Sequence, residues 1–272
     1  MGGGYYQTAR RTRVTGGAAR LACALVAASL AVSTAGCTVQ AEDIATTGRV
    51  EYWHPLVSGR VFITKGSMPG TATEVDMDSN AGLDAGNAFS GGLDFDVGRH
   101  RVSFEYMDFS SSGATVTPED FTFHGQDFSK GDHVSSELNS PTSRLSWSYA
   151  FWQRQESSWW AGLGARYWTF DMQMANDTTG ETTSRKFSHV FPMAITDSSF
   201  DLGRGFSMLL RADVGMVRAP QAVFDGVGGF AYKMKRFGAE AGWRFMRFDF
   251  NESKNDTDFN LSGPFVALRF TF

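Results

Sequence analysis

The residues best suited to acid–base or metal chemistry are five histidines: His54, His100, His124, His133 and His189. An imidazole can catalyse hydrolysis when a carboxylate or a hydroxyl lies within hydrogen-bond reach. Asp132 and His133 form an adjacent carboxylate–imidazole pair, but neighbouring residues of an extended chain point to opposite sides. The pair would therefore need a turn to act together.

No other motif in the sequence indicates catalysis. The chain has no Gly-x-Ser-x-Gly motif, no His, Cys, Asp or Glu cluster with metal-ligand spacing, and no glycine-rich phosphate loop after a strand. His189 falls on the apolar side of its predicted strand, which predicts an imidazole that faces the membrane or its interface. The sequence predicts that the protein is not an enzyme and has no metal and no cofactor, with a surface hydrolase as a distant alternative.

A second set of ionic residues lies on the side of the predicted strands opposite the apolar residues. Charges at membrane depth must be paired or hydrated. Six acidic and six basic side chains share this inward side, which predicts an ion-pair network inside a small barrel. The alternative is a narrow passive channel for ions or small solutes. The predicted network consists of Asp94, Asp96, Arg101, Glu105, Arg144, Arg166, Arg211, Asp213, Asp225, Lys233, Glu240 and Arg244.

The C-terminal stretch indicates what kind of strands carry these charges. Apolar residues alternate with Ala267, Arg269 and Thr271 up to a terminal phenylalanine. This pattern is typical of the closing, membrane-inserting strand of an outer-membrane β-barrel, with apolar residues toward lipid. A soluble sandwich or a lipocalin-like barrel with a buried last strand is the alternative. The apolar residues of this signature are Val266, Leu268, Phe270 and Phe272.

The spacing of the strands predicts an all-β, antiparallel up-and-down barrel. Alternating stretches give ten strands, with eight or twelve as alternatives, from about residue 50 to residue 272. Short turns are predicted at 98–99, 153–156, 201–205 and 235–237. Long loops are predicted at 65–86, 108–134, 176–185 and 251–258, with a compact link near 218–222 and a hairpin within the second loop. Short turns at one end and longer loops at the other are the outer-membrane pattern, with both termini in the periplasm.

Two predicted strands change phase near one end. Trp168, Phe170 and Met172 are apolar on the side that carries Gly162 and Arg166. In a later strand the apolar residues Trp243 and Phe245 lie on one side, and Phe248 and Phe250 lie on the opposite side. One β-bulge in each strand would restore the outward apolar face. The alternative is that these ends leave the bilayer.

Residues 1–41 have the features of a secretory signal peptide. Arg10, Arg11 and Arg13 precede an apolar run from Leu21 to Val32, which is too short to span a bilayer. Cleavage could leave Cys37 as an acylated first residue of a lipoprotein, or follow Ala41 at an A-x-A-like site, and a linker would then lead to residue 49. The remaining 21 basic and 29 acidic residues give a net charge of −8, which argues against nucleic acid as a partner.

The composition and several short motifs extend this interpretation. The chain contains 24 Phe, 7 Trp and 30 Gly, and its mean hydropathy of −0.24 excludes a helical membrane protein. Four short motifs stand out: Tyr52-Trp53-x-Pro55…Ser58-Gly59, Arg99-His-Arg101, Phe123-x-Gly125-x-x-Phe128…Val134-x-Ser136 and Ser262-Gly-Pro-Phe265. With them the chain resembles the small outer-membrane β-barrels of Gram-negative bacteria, and more narrowly a group of such barrels whose motifs attach to no chemistry.

The resemblance and the predicted fold together imply a location and partners. We expect a monomer in the bacterial outer membrane that contacts lipid and lipopolysaccharide and is inserted by the barrel-assembly machinery. Its predicted role is structural or surface-interacting.

Overall fold

The protein was analysed as a computed structural model, which describes residues 44–65, 72–154, 156–218, 221–252 and 255–272. The predicted signal peptide and Cys37 lie outside the described residues. In chain order the strands are β1 (Ile44–Trp53), β2 (Leu56–Ile63), β3 (Val75–Asp76), β4 (Asn87–Val97), β5 (His100–Val116), β6 (Phe121–Phe123), β7 (Gln126–Phe128), β8 (His133–Asn139), β9 (Thr142–Arg154), β10 (Ser157–Asn176), β11 (Glu181–Gly203), β12 (Phe206–Arg218), β13 (Gln221–Met234), β14 (Phe237–Glu252) and β15 (Asn255–Thr271). Within the described ranges, no helix has the length and apolar character needed to cross a membrane.

The strands form a closed antiparallel barrel. Neighbouring barrel strands pair antiparallel in the order β1, β4, β5, β8 with β9, and β10 to β15, and β15 returns to pair with both β1 and β2. β1 and β2 form one barrel strand that is interrupted at Pro55, and β8 and β9 form another that is interrupted at Pro141. Proline has no backbone N–H, so it interrupts a ladder. The prediction of an all-β up-and-down barrel with ten strands is confirmed.

Several strands are longer than the sequence predicts. β1 begins at Ile44 instead of residue 50, because it pairs along its length with β4. The predicted loop at 108–134 shrinks to 117–132, and the loop at 176–185 becomes a turn at 177–180. β14 runs to residue 252 and β15 starts at residue 255, so 251–258 is mostly strand. Polar residues fill these extensions, and backbone pairing holds them in the sheet without an apolar outer face.

The connections divide the barrel into two unlike ends. The turn end carries Ile44, Phe272 and the tight connections at 98–99, 204–205 and 235–236. The loop end carries the connections 64–86 and 117–132, and the second of these includes the predicted hairpin, formed by β6 and β7. The short turns at one end are present as predicted, but only two of the four predicted long loops are long, since most of 176–185 and 251–258 is strand.

An apolar band surrounds the outside of the barrel next to the turn end. On β10 the outward residues are apolar from Trp159 to Tyr167, about 26 Å along the strand at about 3.3 Å per residue. The next outward residues are Thr169 and Asp171, and Asp171 pairs with Lys186 of β11 at 2.8 Å. A lipid-facing band of about 25 Å is characteristic of outer-membrane barrels. The change at Tyr167 marks the edge of this band toward the loop end.

Candidate functional site

The interior of the barrel beside the apolar band holds a continuous ionic layer. Five arginines and five carboxylates belong to it, so the formal charges balance. They come from eight of the ten barrel strands, and all but Arg269 are almost fully buried. The members of this ionic layer are Arg49, Glu51, Glu105, Arg144, Arg166, Asp213, Asp225, Glu240, Arg244 and Arg269.

Arg244 is the hub of the ionic layer. Its guanidinium donates to Glu51 at 2.6 Å and to Glu105 at 3.1 Å. It also makes two bonds to Asp225, at 3.0 and 2.7 Å, and its charge lies 5.3 Å from the ring centre of Trp53. One side chain therefore links strands on opposite sides of the lumen. Such a planar, permanently charged fork suits arginine and not lysine.

A second arginine holds the far side of the layer. Arg166 donates to Asp225 at 2.7 Å and to Asp213 at 3.2 Å. Asp213 also accepts from Arg144, which donates to Glu105 at 2.9 Å. Because every carboxylate is shared between arginines or lies beside several of them, no single charge remains uncompensated in the layer.

The structure places most of the predicted lumen residues together, but not all of them. Two separate pairs lie nearer the turn end: Arg101 with Asp96 at 2.6 Å, and Arg211 with Asp197 at 3.3 Å. Asp94 lines a small cavity of about 40 Å³ beside the layer. Lys233 is an exception, because it is 61% exposed at the turn end and pairs there with Glu156.

Four participants of these interior networks were not predicted from the sequence: Arg49, Glu51, Asp197 and Arg269. Arg49 precedes the predicted strand start at residue 50, whereas Glu51 lies within the predicted strand on the side opposite Tyr52. Arg269 lies between apolar members of the predicted closing strand, and its inward parity was the signal that could have identified it. Asp197 lies beyond the apolar run of β11, where the alternation is weak.

An apolar layer fills the barrel between the ionic layer and the loop end. Trp168 stacks on Phe248 with ring centres 4.6 Å apart, and Phe248 stacks on Phe259 at 4.9 Å. The indole Nε1 of Trp168 donates to the hydroxyl of buried Ser140 at 2.7 Å, so its polar atom is satisfied. The main members of this apolar layer are Met107, Phe109, Trp168, Phe170, Met172, Phe191, Met193, Met246, Phe248, Phe250, Phe259 and Leu261.

This layer explains the change of phase without a bulge. Registers are continuous through Trp168 on β10 and Phe248 on β14 toward the loop end, so these aromatic residues stay on the inward side that carries Arg166 and Arg244. Beside the apolar band, the outside is apolar and the inside is ionic. Beyond Tyr167 the outside becomes polar and the inside apolar, as in a water-soluble barrel. The bulge hypothesis is wrong, since the polarity inverts on both faces at the same level.

The structure also reverses the predicted orientation of β11. The sequence predicts Phe187, His189, Phe191 and their alternate neighbours on the outer, membrane-facing side. In the structure Phe191 and Met193 are buried inside, and the His189 ring lies 3.9 Å from the ring of Phe250. Alternation alone shows that a strand has two unlike faces. It does not show which face is outside once the interior itself is apolar.

The two loop-end segments close the barrel above the apolar layer. Buried Val75, Met77 and Leu83 from one segment and Phe121 and Phe123 from the other belong to the same apolar cluster. The β6–β7 hairpin is pinned by backbone bonds from His124 to the carbonyl of Ile63 at 3.0 Å and from Thr73 to Thr122 at 2.9 Å. These segments are therefore a packed cover and not free loops.

His124 and Asp132 both lie in this cover. His124 has a positive φ of 48°, and burial, followed by the charges of Arg185 and Lys65, lowers the pKa of its imidazole. The carboxylate of Asp132 accepts from the backbone N–H of Ser129 at 2.9 Å and from Asn176 at 2.6 Å. The first bond lies within the cover, and the second ties the cover to the end of β10. Across the described part of the chain, no group of three His, Cys, Asp or Glu residues could hold a metal ion.

The turn end, in contrast, is open. A cavity of about 630 Å³ lies there, and we call it the mouth cavity. It is lined by residues of β10 to β15 and reaches Arg101, Asp197 and Glu240 at the edge of the interior networks. The lumen is thus open at the turn end, and side chains fill it from the ionic layer to the loop end.

The chain is similar to several outer-membrane barrels among solved structures. The outer-membrane protease OmpT from Escherichia coli is 9% identical, with a TM-score of 0.52 over 83% of this chain and 97% of that chain. The translocator domain of the autotransporter NalP from Neisseria meningitidis is 11% identical, with a TM-score of 0.43 over 93% and 96%. Neisserial surface protein A is 10% identical, with a TM-score of 0.38 over 84% and 99%. No family model and no curated protein sequence matches the chain.

The chain has the fold of the small outer-membrane β-barrels of Gram-negative bacteria. The similarity to OmpT concerns the fold alone, because the identity is only 9%. The narrower likeness to one group of such barrels stays a prediction.

Proposed function

We propose that the protein is a closed outer-membrane barrel that presents a rigid, packed surface outside the cell. The observation that carries this proposal is the inversion of polarity at Tyr167 and Trp168. The part with the apolar outer band fits a bilayer. The part beyond it has a polar outside, an apolar inside and a packed cover, so it projects from the membrane as a folded body.

Two further observations support a structural or surface-interacting role over conduction. The ionic layer links eight strands across the lumen with balanced charge, whereas a selective pore usually shows one dominant sign. The apolar layer beyond it offers no polar lining for hydrated ions. A narrow passive channel is therefore the second hypothesis.

A surface hydrolase has less support. Asp132 already accepts two hydrogen bonds that tie the cover together, so its carboxylate is engaged in structure. The expectation that the protein has no catalytic activity stays a prediction. So do its contacts with lipopolysaccharide, its insertion by the barrel-assembly machinery and its monomeric state.

Labelling of intact cells tests the location and the orientation together. We expect Thr178→Cys, in the exposed β10–β11 turn, to react with a membrane-impermeant maleimide on intact cells. Arg99→Cys, in an exposed turn at the other end, should react only after the envelope is opened, because both termini and the turn end would lie in the periplasm. The parent chain is the control. Reaction of Arg99→Cys alone on intact cells would reverse the orientation. If neither variant reacted on intact cells although both were present in the outer-membrane fraction, surface exposure would be contradicted.

A further inference from the structure

The mouth cavity carries cations that the rest of the barrel does not neutralise. Six basic side chains line it, and three of them have acidic partners: Arg101 with Asp96, Lys233 with Glu156, and Arg269 with Glu240. Among the residues that the structure describes, the side chains of the other three form no hydrogen bond or ion pair. These three free cations are Arg204, Lys235 and Arg236.

The carboxylates of the same cavity are already engaged. Glu156 pairs with Lys233 at 2.8 Å, and Asp197 pairs with Arg211 at 3.3 Å. Glu240 accepts from Arg49 and also pairs with Arg269. Asp201 accepts the backbone N–H of Gly203 at 2.8 Å. The six basic and four acidic side chains that line the cavity therefore leave a surplus of two positive charges.

Two of the free cations occupy backbone positions that disfavour them. Arg204 has a φ of 57° and Lys235 a φ of 48°, in the left-handed region where glycine or asparagine is the unstrained choice. A long cationic side chain at either position therefore strains the backbone. A strained residue that also lines a cavity is a pointer to function.

From this arrangement we infer that the mouth cavity binds a ligand that carries phosphate groups. Guanidinium and ammonium groups are the side-chain groups that bind phosphate oxygens, and three of them line this cavity without an acidic partner. A volume of about 630 Å³ is in the range of small-molecule sites, so the ligand is a soluble phosphorylated compound or a phospholipid headgroup that enters from the rim. The inference goes beyond the proposed function, and it holds whichever side of the membrane the turn end faces.

Titration of the detergent-purified protein with inorganic pyrophosphate tests the site. The test variant combines Arg204→Asn, Lys235→Asn and Arg236→Gln, since asparagine tolerates the left-handed backbone and the fold should persist. The matched control combines Arg99→Gln and Arg154→Gln, two exposed turn-end cations that do not line the cavity. We expect calorimetry to show binding to the parent and the control, and binding weaker by about tenfold or more in the test variant.

Several outcomes would overturn the inference: no binding of pyrophosphate to the parent, equal binding to the test variant, or an equal loss in the control. Repeating the titration in phosphatidylcholine vesicles with and without phosphatidylglycerol identifies the source of the phosphate. If phosphatidylglycerol suppresses pyrophosphate binding to the parent, a headgroup occupies the cavity. If it does not, the natural ligand is soluble. A gel of unboiled and boiled samples shows that each variant is folded.

Discussion

Replacing Arg244 by methionine should lower the free energy of unfolding of the barrel by about 3–5 kcal/mol. Methionine has a similar length but no charge, so Glu51, Glu105 and Asp225 would lose hydrogen bonds of 2.6–3.1 Å in a lumen from which water is largely excluded. The loss comes from carboxylates left without their partner in a low-dielectric interior. Urea unfolding of protein refolded into lipid vesicles measures it.

Arg247→Met is the matched control for this experiment. Arg247 lies three residues further along β14 and pairs with Asp258 at 3.0 Å, but both side chains are 48% exposed. An exposed ion pair contributes about 0–1 kcal/mol, so the control should remain close to the parent. Equal stability of Arg244→Met and Arg247→Met would contradict the role of the ionic layer as the brace of the barrel.

Replacing Trp168 by alanine should cost about 3–5 kcal/mol, because the indole is fully buried and its removal leaves a cavity in the apolar layer. The substitution also leaves the hydroxyl of Ser140 without its donor. The outward Trp159 is 47% exposed, so Trp159→Ala leaves no internal cavity and should cost clearly less. The same urea titration compares the two variants.

The relative stability of these two alanine variants tests how the part of the barrel beyond the apolar band is stabilised. If Trp168→Ala is no less stable than Trp159→Ala, the apolar layer does not support the fold. The phase change on β10 and β14 would then need another explanation. If the expected order holds, the part beyond the apolar band behaves like the core of a soluble protein.

The architecture was predictable from the sequence because its signal is repeated in every strand. Period-two alternation and the closing stretch to Phe272 report directly on a barrel with one apolar face. The short turns were predictable for the same reason, since they interrupt the alternation. The ends of the strands were not, because residues such as Ser110 to Ser112 pair through their backbone and carry no apolar signal.

The inward residues were predictable only beside the apolar band. There, a charge opposite an apolar residue must point into the lumen, which is how Arg144, Arg166 and Arg244 were identified. Beyond Tyr167 the same alternation has the opposite meaning, because water replaces lipid outside. The local sequence pattern does not show at which residue of a strand the edge of the membrane lies. The orientation of His189, which pairs with Trp168, therefore required the three-dimensional structure.

Single-channel recording tests the closed lumen most directly. Parent protein is refolded into vesicles, its folded state is verified by a band that shifts on boiling, and it is then fused with a planar bilayer at high salt. The ionic layer and the apolar layer predict a bilayer current that stays at the level of the protein-free bilayer. Regular, protein-dependent current steps of one size would contradict a closed barrel and establish the narrow channel in its place.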